Sequence, residues 1–316
     1  MWRTPKYTGP ERRKTRRWRP RPIRVLLVLL ALVVLGYAAV AIWLMTQETR
    51  LVFQAGAVLG PARPPFAYEQ IALPRVDGGQ QFAWRMPAAD GRADQPWVLF
   101  LHGNAANLAS NVNIGHYALL RSLGLHVLAP EYRGFSGLPG TPSEEGLAAD
   151  ARAAYQYLRD LGVPSSRIII YGWSLGSAVG VRLAADVDSA AVILEGAPAS
   201  IAALGQRQYP FFPIRLVMRN RFESIRRVGT IRAPILFLHS PEDTVIPFAE
   251  GRRLYDAATA QKTLVEVRGG HVHASEVDEG TFRAAISAFL ERNGLLPRPA
   301  APPASGQPAV AQHLVR

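Results

Sequence analysis

The sequence contains no cysteine. That excludes disulfides, a thiolate nucleophile and any metal centre built on thiolates. The absence fits an oxidising compartment without identifying one. Three phosphate- or metal-binding signatures are also missing: His-Glu-x-x-His, Gly-x-x-x-x-Gly-Lys and Gly-x-Gly-x-x-Gly. His271-x-His273 alone is too small a ligand set for zinc. No metal and no cofactor are therefore expected, and there is no internal repeat. Acidic residues are scarce, 24 against 36 Lys and Arg, for a formal net charge of +12. The excess does not point to nucleic acid. Residues 1–24 hold ten Lys or Arg and one acid, while the remaining chain holds 26 basic and 23 acidic residues and is nearly balanced.

Charge disappears altogether from Val25 to Met45, a run of 21 uncharged and mostly apolar residues. As a helix rising ~1.5 Å per residue, such a run crosses a bilayer core. It has no polar face, which a core helix of a soluble protein would show. Arg16, Arg17, Arg19, Arg21 and Arg24 precede it, and Thr46-Gln-Glu-Thr follows. The positive-inside rule then gives a basic, disordered cytoplasmic tail over 1–22 and a membrane anchor over 23–45. The body lies on the far side, which in a bacterium is the periplasmic face of the inner membrane. The competing reading is a secreted protein with a signal peptide cleaved at Ala39-Val-Ala41. Against it, the run is longer than a signal core and continues through Ile42, Trp43 and Leu44.

The body, 46–296, is globular in composition: 48% of the chain is hydrophobic and 19% charged. Phe66–Leu73 and Gln80–Met86 alternate around Asp77-Gly-Gly and read as a hairpin. Short apolar runs at 97–101, 125–129, 167–171, 191–194, 235–238 and 263–267 read as strands. Helical stretches fall between them, near 107–123, 142–158, 175–186, 248–259 and 279–292. Thr141-Pro-Ser-Glu144 reads as a helix start, with Thr141 as N-cap, Pro142 at the first position and Glu144 closing a capping box. Such alternation gives an α/β fold with a mostly parallel central sheet and helices on both faces. Ligands then bind at the carboxyl ends of the strands. Residues 297–316 are Pro/Ala-rich without period and read as a disordered tail.

The chemistry gathers behind these strands. Gly172-Trp-Ser174-Leu-Gly176 follows a strand and opens a helix, the nucleophile-elbow pattern that exposes a serine on a tight turn. Serine needs an imidazole to take its proton, and the imidazole needs a carboxylate to fix its tautomer. In this strand order the acid and then the base follow the serine. Asp243, after strand 235–238, is the expected carboxylate, with Glu242 beside it as a poorer choice. His271 is the expected base, because Gly269-Gly270 gives its loop backbone freedom; His273 is the alternative. His116, His126 and His313 suit ordinary structural or surface roles. The oxyanion donors are expected from the backbone N–H of Leu175 at the elbow-helix start and of Asn104 in His102-Gly-Asn-Ala-Ala-Asn107, with Ala105 next to it.

These residues resemble the serine α/β-hydrolase superfamily and, within it, the Bem46-like group. The resemblance rests on His102-Gly-Asn-Ala, Glu131-Tyr-Arg-Gly-Phe-Ser-Gly137, Pro142-Ser-Glu-Glu-Gly-Leu147 with Asp150, Gly172-Trp-Ser-Leu-Gly176, Pro234-Ile-Leu-Phe-Leu-His239, Asp243 with Val245 and Pro247, and Gly270-His271. It covers about 66–293 and implies the α/β-hydrolase fold and cofactor-free Ser-Asp-His cleavage of esters or thioesters, often lipid-like. Glu131 stands where the group usually has Asp, and Glu195-Gly-Ala-Pro-Ala-Ser200 departs from its usual run. The insertion at about 197–230 carries Tyr209, Phe211, Phe212 and several Arg and reads as a cap over the serine, the alternative being a helix packed on the outside of the sheet. Those aromatics, with Trp173 and Ala105, are the expected acyl pocket. The expectation is a membrane-anchored serine hydrolase acting on lipid-like or small-molecule esters. A serine exopeptidase of the same fold and an inactive membrane scaffold are the alternatives.

Overall fold

The computed structural model describes residue 9 and residues 22–56, 63–75 and 77–297. The expected tails, 1–22 and 297–316, fall almost entirely outside the described residues. Helix α1 runs from Pro22 to Phe53. Its most apolar stretch has a mean hydropathy of 3.0, and it is the one helix among the described residues long and apolar enough to cross a membrane. The chain divides into two units, 1–46 and 47–316. The first contributes the apolar part of α1, and the last turns of α1, from Gln47, belong to the second. The helix thus outlasts the expected boundary at Met45, because no Gly or Pro interrupts Thr46–Phe53.

The second unit continues with β1 (Glu69–Pro74), β2 (Gln80–Met86), β3 (Trp97–Leu101), α2 (Asn111–Ser122), β4 (His126–Pro130), α3 (Glu144–Asp160) and β5 (Ile168–Trp173). Then come α4 (Leu175–Asp186), β6 (Ala191–Glu195), α5 (Ile201–Gln208), α6 (Ile214–Val217), β7 (Ile235–His239), α7 (Phe248–Ala257), β8 (Lys262–Glu266), α8 (Ala274–Val277) and α9 (Glu279–Arg292). The eight strands form one sheet in the order β1-β2-β4-β3-β5-β6-β7-β8. β2 runs antiparallel to both its neighbours, β1 and β4, and the remaining pairs are parallel. The hairpin closes with Pro74 opposite Gln80, and β1 starts at Glu69, opposite Arg85, three residues later than expected.

Strand periodicity divides the core in two. Leu99, Leu101, Ile168, Ile170, Val192, Leu194 and Phe237 point to one face, with Leu147, Ala151 and Leu158 of α3, Ala178 and Val181 of α4, and Leu254 of α7. Val98, Phe100, Ile169, Tyr171, Ile193 and Leu236 point to the other, with Tyr117 and Leu120 of α2 and Phe282, Ile286 and Phe289 of α9. The helix after β3 and the helix after β5 therefore lie on opposite faces although β3 and β5 are neighbours. A topological switch of this kind opens a crevice at the carboxyl ends of those two strands.

One helix start differs from expectation. The N-cap of α3 is Ser143, whose hydroxyl accepts from the Gly146 N–H at 3.0 Å, and not Thr141. Glu144 closes no box: its N–H donates to Asn220 Oδ1 at 2.7 Å and its carboxylate accepts from the Phe222 N–H at 2.9 Å. Contacts with a segment more than 70 residues away outcompete the local capping pattern.

Candidate active site

Ser174 sits at the β5–α4 turn with φ 55° and ψ −119°, a conformation L-residues rarely adopt. The strain is held by its surroundings. Its N–H donates to the Glu195 carbonyl at 2.8 Å, and buried Ser177 Oγ donates to the Gly172 and Glu195 carbonyls at 2.6 and 2.9 Å. A Cβ on Gly176 would strike the Leu101 carbonyl of β3, and one on Gly172 the backbone of Gly176 and Ser177. Those glycines let α4 leave the sheet at the angle that lifts Ser174 to the crevice, where it is 4% exposed.

Ser174 Oγ lies 2.8 Å from His271 Nε2, and His271 Nδ1 lies 2.6 Å from Asp243 Oδ2. The carboxylate can only accept, so Nδ1 carries the proton and the Nε2 lone pair faces the serine hydroxyl. Gly269 and Gly270 take φ 104° and 70°, the left-handed turn that delivers His271. His273 is elsewhere: exposed, and paired with Glu276 at 3.3 Å. Glu242 turns away and accepts from the Gly269 N–H at 3.2 Å.

Asp243 is fixed on both oxygens. Oδ1 accepts from the Val245 and Ile246 N–H groups at 2.9 and 2.8 Å, and Oδ2 faces His271, with buried His239 3.5 Å away. Burial works against its charge. The bonds from His239 and His271, the charge of His271 and the Ile246 N–H outweigh burial and hold its carboxyl far below the usual carboxylate range.

The loop after β3 runs past the serine, since a Cβ on Gly103 would lie 3.2 Å from Ser174 Cβ. His102 braces it from below, fully buried, with Nδ1 2.8 Å from the Gly103 carbonyl and Nε2 2.8 Å from Glu131 Oε1. Glu131 also accepts from Ser136 Oγ at 2.6 Å and the Leu108 N–H at 3.2 Å, so it holds the loop rather than facing the crevice. The Ala105 N–H donates to the Phe53 carbonyl at 3.2 Å. Among the described residues no acceptor faces the N–H of Asn104 or of Leu175.

A second buried pair lies behind the site. His116 Nε2 is 2.8 Å from Glu195 Oε2 and its Nδ1 2.6 Å from the Val112 carbonyl. Both ring nitrogens face acceptors, so the ring is at home as a cation. Burial opposes that charge, but the Glu195 carboxylate and the Val112 carbonyl overcome it and raise the His116 pKa. Tyr171 donates to the same Glu195 oxygen at 2.7 Å. The sequence offered no partner for His116. The one available signal was Glu195, an acid ending an otherwise apolar strand.

The expected pocket residues separate. Trp173 is buried between His116 and His271, ring centroids 5.9 and 6.2 Å away, and its Nε1 is 3.4 Å from the His271 carbonyl. It packs against His271 instead of standing open to the crevice. Tyr209 and Phe212 are half-buried, whereas Phe211 is 85% exposed. No group of three or more metal-ligating side chains occurs among the described residues.

Residues 98–268 match the model of the "Alpha/beta hydrolase family". The chain is 34% identical over 274 residues to the uncharacterized protein Rv2307c of Mycobacterium tuberculosis, a match covering 85% of this chain and 96% of that protein. It is 33% identical over 192 residues to lysophosphatidylserine lipase ABHD12 of Danio rerio, covering 55% of this chain and 50% of the lipase. Among solved structures, the Pyrococcus furiosus esterase Pf2001 superposes with a TM-score of 0.63 at 20% identity, covering 74% of this chain and 95% of the esterase. At that identity the likeness concerns the fold.

Proposed function

The chain belongs to the α/β-hydrolase family, and from that premise we propose that it is a membrane-anchored serine hydrolase whose nucleophile is Ser174. The observation that carries this reading is the continuous contact Ser174 Oγ to His271 Nε2 at 2.8 Å and His271 Nδ1 to Asp243 Oδ2 at 2.6 Å. His271 takes the hydroxyl proton as Oγ attacks the carbonyl carbon. Asp243 keeps the ring in the productive tautomer and balances the imidazolium charge. The Asn104 and Leu175 N–H groups receive the oxyanion, the latter helped by the positive end of α4. On collapse, His271 returns its proton to the departing alcohol or thiol, leaving an acyl group on Ser174. Water, deprotonated by the same imidazole, then releases the acid.

Carboxylic esters or thioesters of lipid-like character are the favoured substrates. The support is the apolar α1, the aromatic and Arg-bearing insertion over 197–230 as a cap, and the lysophosphatidylserine lipase among the relatives. In this reading the N-terminus is cytoplasmic and the catalytic unit lies across the membrane. A fluorophosphonate should label the wild type and not Ser174→Ala; equal labelling of both would end the serine-hydrolase reading. Acyl lipids in mixed micelles should be cleaved faster than short soluble esters, and the reverse ranking would remove the lipid assignment. The absence of cysteine supplies a clean background for orientation. A Ser305→Cys chain in intact cells should react with a membrane-impermeant maleimide, whereas reaction only after permeabilisation would invert the topology.

A further inference from the structure

An α-helix leaves its last carbonyls without intrahelical donors. At the end of α1 three carbonyls are in this position once Gln54 N–H closes the helix on Arg50 at 3.2 Å. Gln54 Nε2 reaches the Leu51 carbonyl at 3.5 Å. The other two are met by the loop that passes Ser174: Asn104 Nδ2 donates to the Val52 carbonyl at 3.1 Å and the Ala105 N–H to the Phe53 carbonyl at 3.2 Å. The loop is thereby fastened through the Asn104 side chain and the Ala105 N–H, and the Asn104 N–H has no acceptor among the described residues.

The helix end is itself fastened. Glu48 Oε1 accepts from the Arg219 N–H, the Asn220 N–H and Asn220 Nδ2 at 2.9, 2.7 and 2.8 Å. Asn220 Oδ1 in turn accepts from the first N–H of α3 at 2.7 Å. Phe53, fully buried, meets Phe222 edge-on at 6.0 Å between ring centroids. Backbone strain collects at the same junction. Among the described residues five non-glycine residues have positive φ, and three of them, Gln54 at 47°, Ala105 at 51° and Phe222 at 42°, belong to the three segments that meet here. Such conformations persist where surrounding contacts over-determine them, and they gather at functional sites.

We infer that the last turns of α1, Gln47 to Gln54, are a positioning element of the oxyanion site, holding the Asn104 N–H where the carbonyl oxygen of the substrate arrives. Val52 and Phe53 touch no substrate. They act through the loop, as the carbonyl acceptors that set its place and its conformation. The inference rests on the serine-hydrolase reading but is separable from it. Oxyanion donors work only where they are preorganised, and small misplacements of such groups reach about 100-fold in rate.

The test uses the full chain in detergent with a short chromogenic ester. Asn104→Ala keeps the backbone N–H and removes the side-chain tie to Val52. It should lower kcat about 10- to 100-fold with KM within about threefold, while the melting temperature moves by only a few degrees. Asn104→Gln, which retains an amide donor, should recover part of the loss. A kcat within twofold of wild type in Asn104→Ala, while Ser174→Ala still abolishes fluorophosphonate labelling, would overturn the inference and leave the hydrolase reading intact. A fall in melting temperature without a fall in kcat would overturn it equally. Amide exchange of the wild type needs no variant: the Ala105 N–H should be protected, and exchange at the rate of an open loop would also sink the idea.

Discussion

The two halves of the site are built differently. On one side Ser174, Asp243 and His271 stand on turns directly after β5, β7 and β8, and their geometry follows from the sheet beneath them. On the other side the Asn104 loop follows β3 but takes its shape from partners about 50 residues earlier, Val52 and Phe53. The same helix end is in turn tied, through Glu48, to the insertion about 170 residues later. The first half is local chemistry on a rigid edge. The second is a long-range assembly in which no single partner carries a recognisable motif. A site can therefore be plain in its proposed nucleophile and opaque in the loop proposed to face it.

Substitutions can break or sharpen this contrast, and the largest effects should fall on the sheet side. Ser174→Ala should remove activity by about 10^6-fold, with unfolding free energy within ~0.5 kcal/mol of wild type, read by kinetics and denaturant titration. Asp243→Asn should lower kcat by about 10^4-fold, because the wrong histidine tautomer is then favoured. Residual turnover in either variant within tenfold of wild type would mean that the sheet side does not hold the chemistry.

A smaller effect is expected from Glu195→Gln, which breaks the charge pairing with His116 behind both Ser174 and Trp173. It should cost roughly 1–3 kcal/mol of stability by urea unfolding. It should also lower kcat by about tenfold, since the Trp173–His271 stack rests on this pair. If stability falls and kcat does not, the pair supports the core alone.

The lowered carboxyl of Asp243 gives a signed pH dependence. Its native value lies below the unfolded one, about 3.9, so its contribution to stability is fully present above that pH. That contribution is lost as pH falls through the native value. The stability gap between wild type and Asp243→Asn should be flat from pH 8 to about 5 and close below about 4. The smallest effect belongs to Phe211→Ala, at an 85% exposed position. Stability should stay within ~0.5 kcal/mol, with a few-fold rise in KM confined to acyl lipids. No change in KM for any lipid would remove Phe211 from substrate contact.

Sequence alone carried far on the sheet side for a physical reason. A nucleophile elbow needs small residues where helix, strand and neighbouring strand crowd together, and Gly172 and Gly176 mark that crowding in the sequence. Asp243 and His271 are each announced by an apolar strand just before them. The expected bounds of α4 and α9 agree with the structure for the same reason of clear periodicity. What could not be read was whatever depends on distant partners. Ser143 rather than Thr141 caps α3 because Glu144 is drawn to Asn220 and Phe222. Trp173 next to the serine suggested a pocket wall, but the alternation of β5 turns it inward onto His116 and His271. His116 itself gives no sign of the partner it finds 79 residues on.

The way α1 ends also sets where the chain can be cut. A protease acting at Ala39-Val-Ala41 would release a polypeptide that still carries Glu48, Val52 and Phe53, and with them the complete support of the Asn104 loop. A cut a dozen residues later, after Gln54, would discard all three and leave Asn220 and Phe222 facing an emptied seat. In the proposed membrane-anchored form, release from the membrane and loss of the loop's support would be governed by separate peptide bonds. A soluble form prepared for crystallisation or inhibitor screening should begin no later than Gln47.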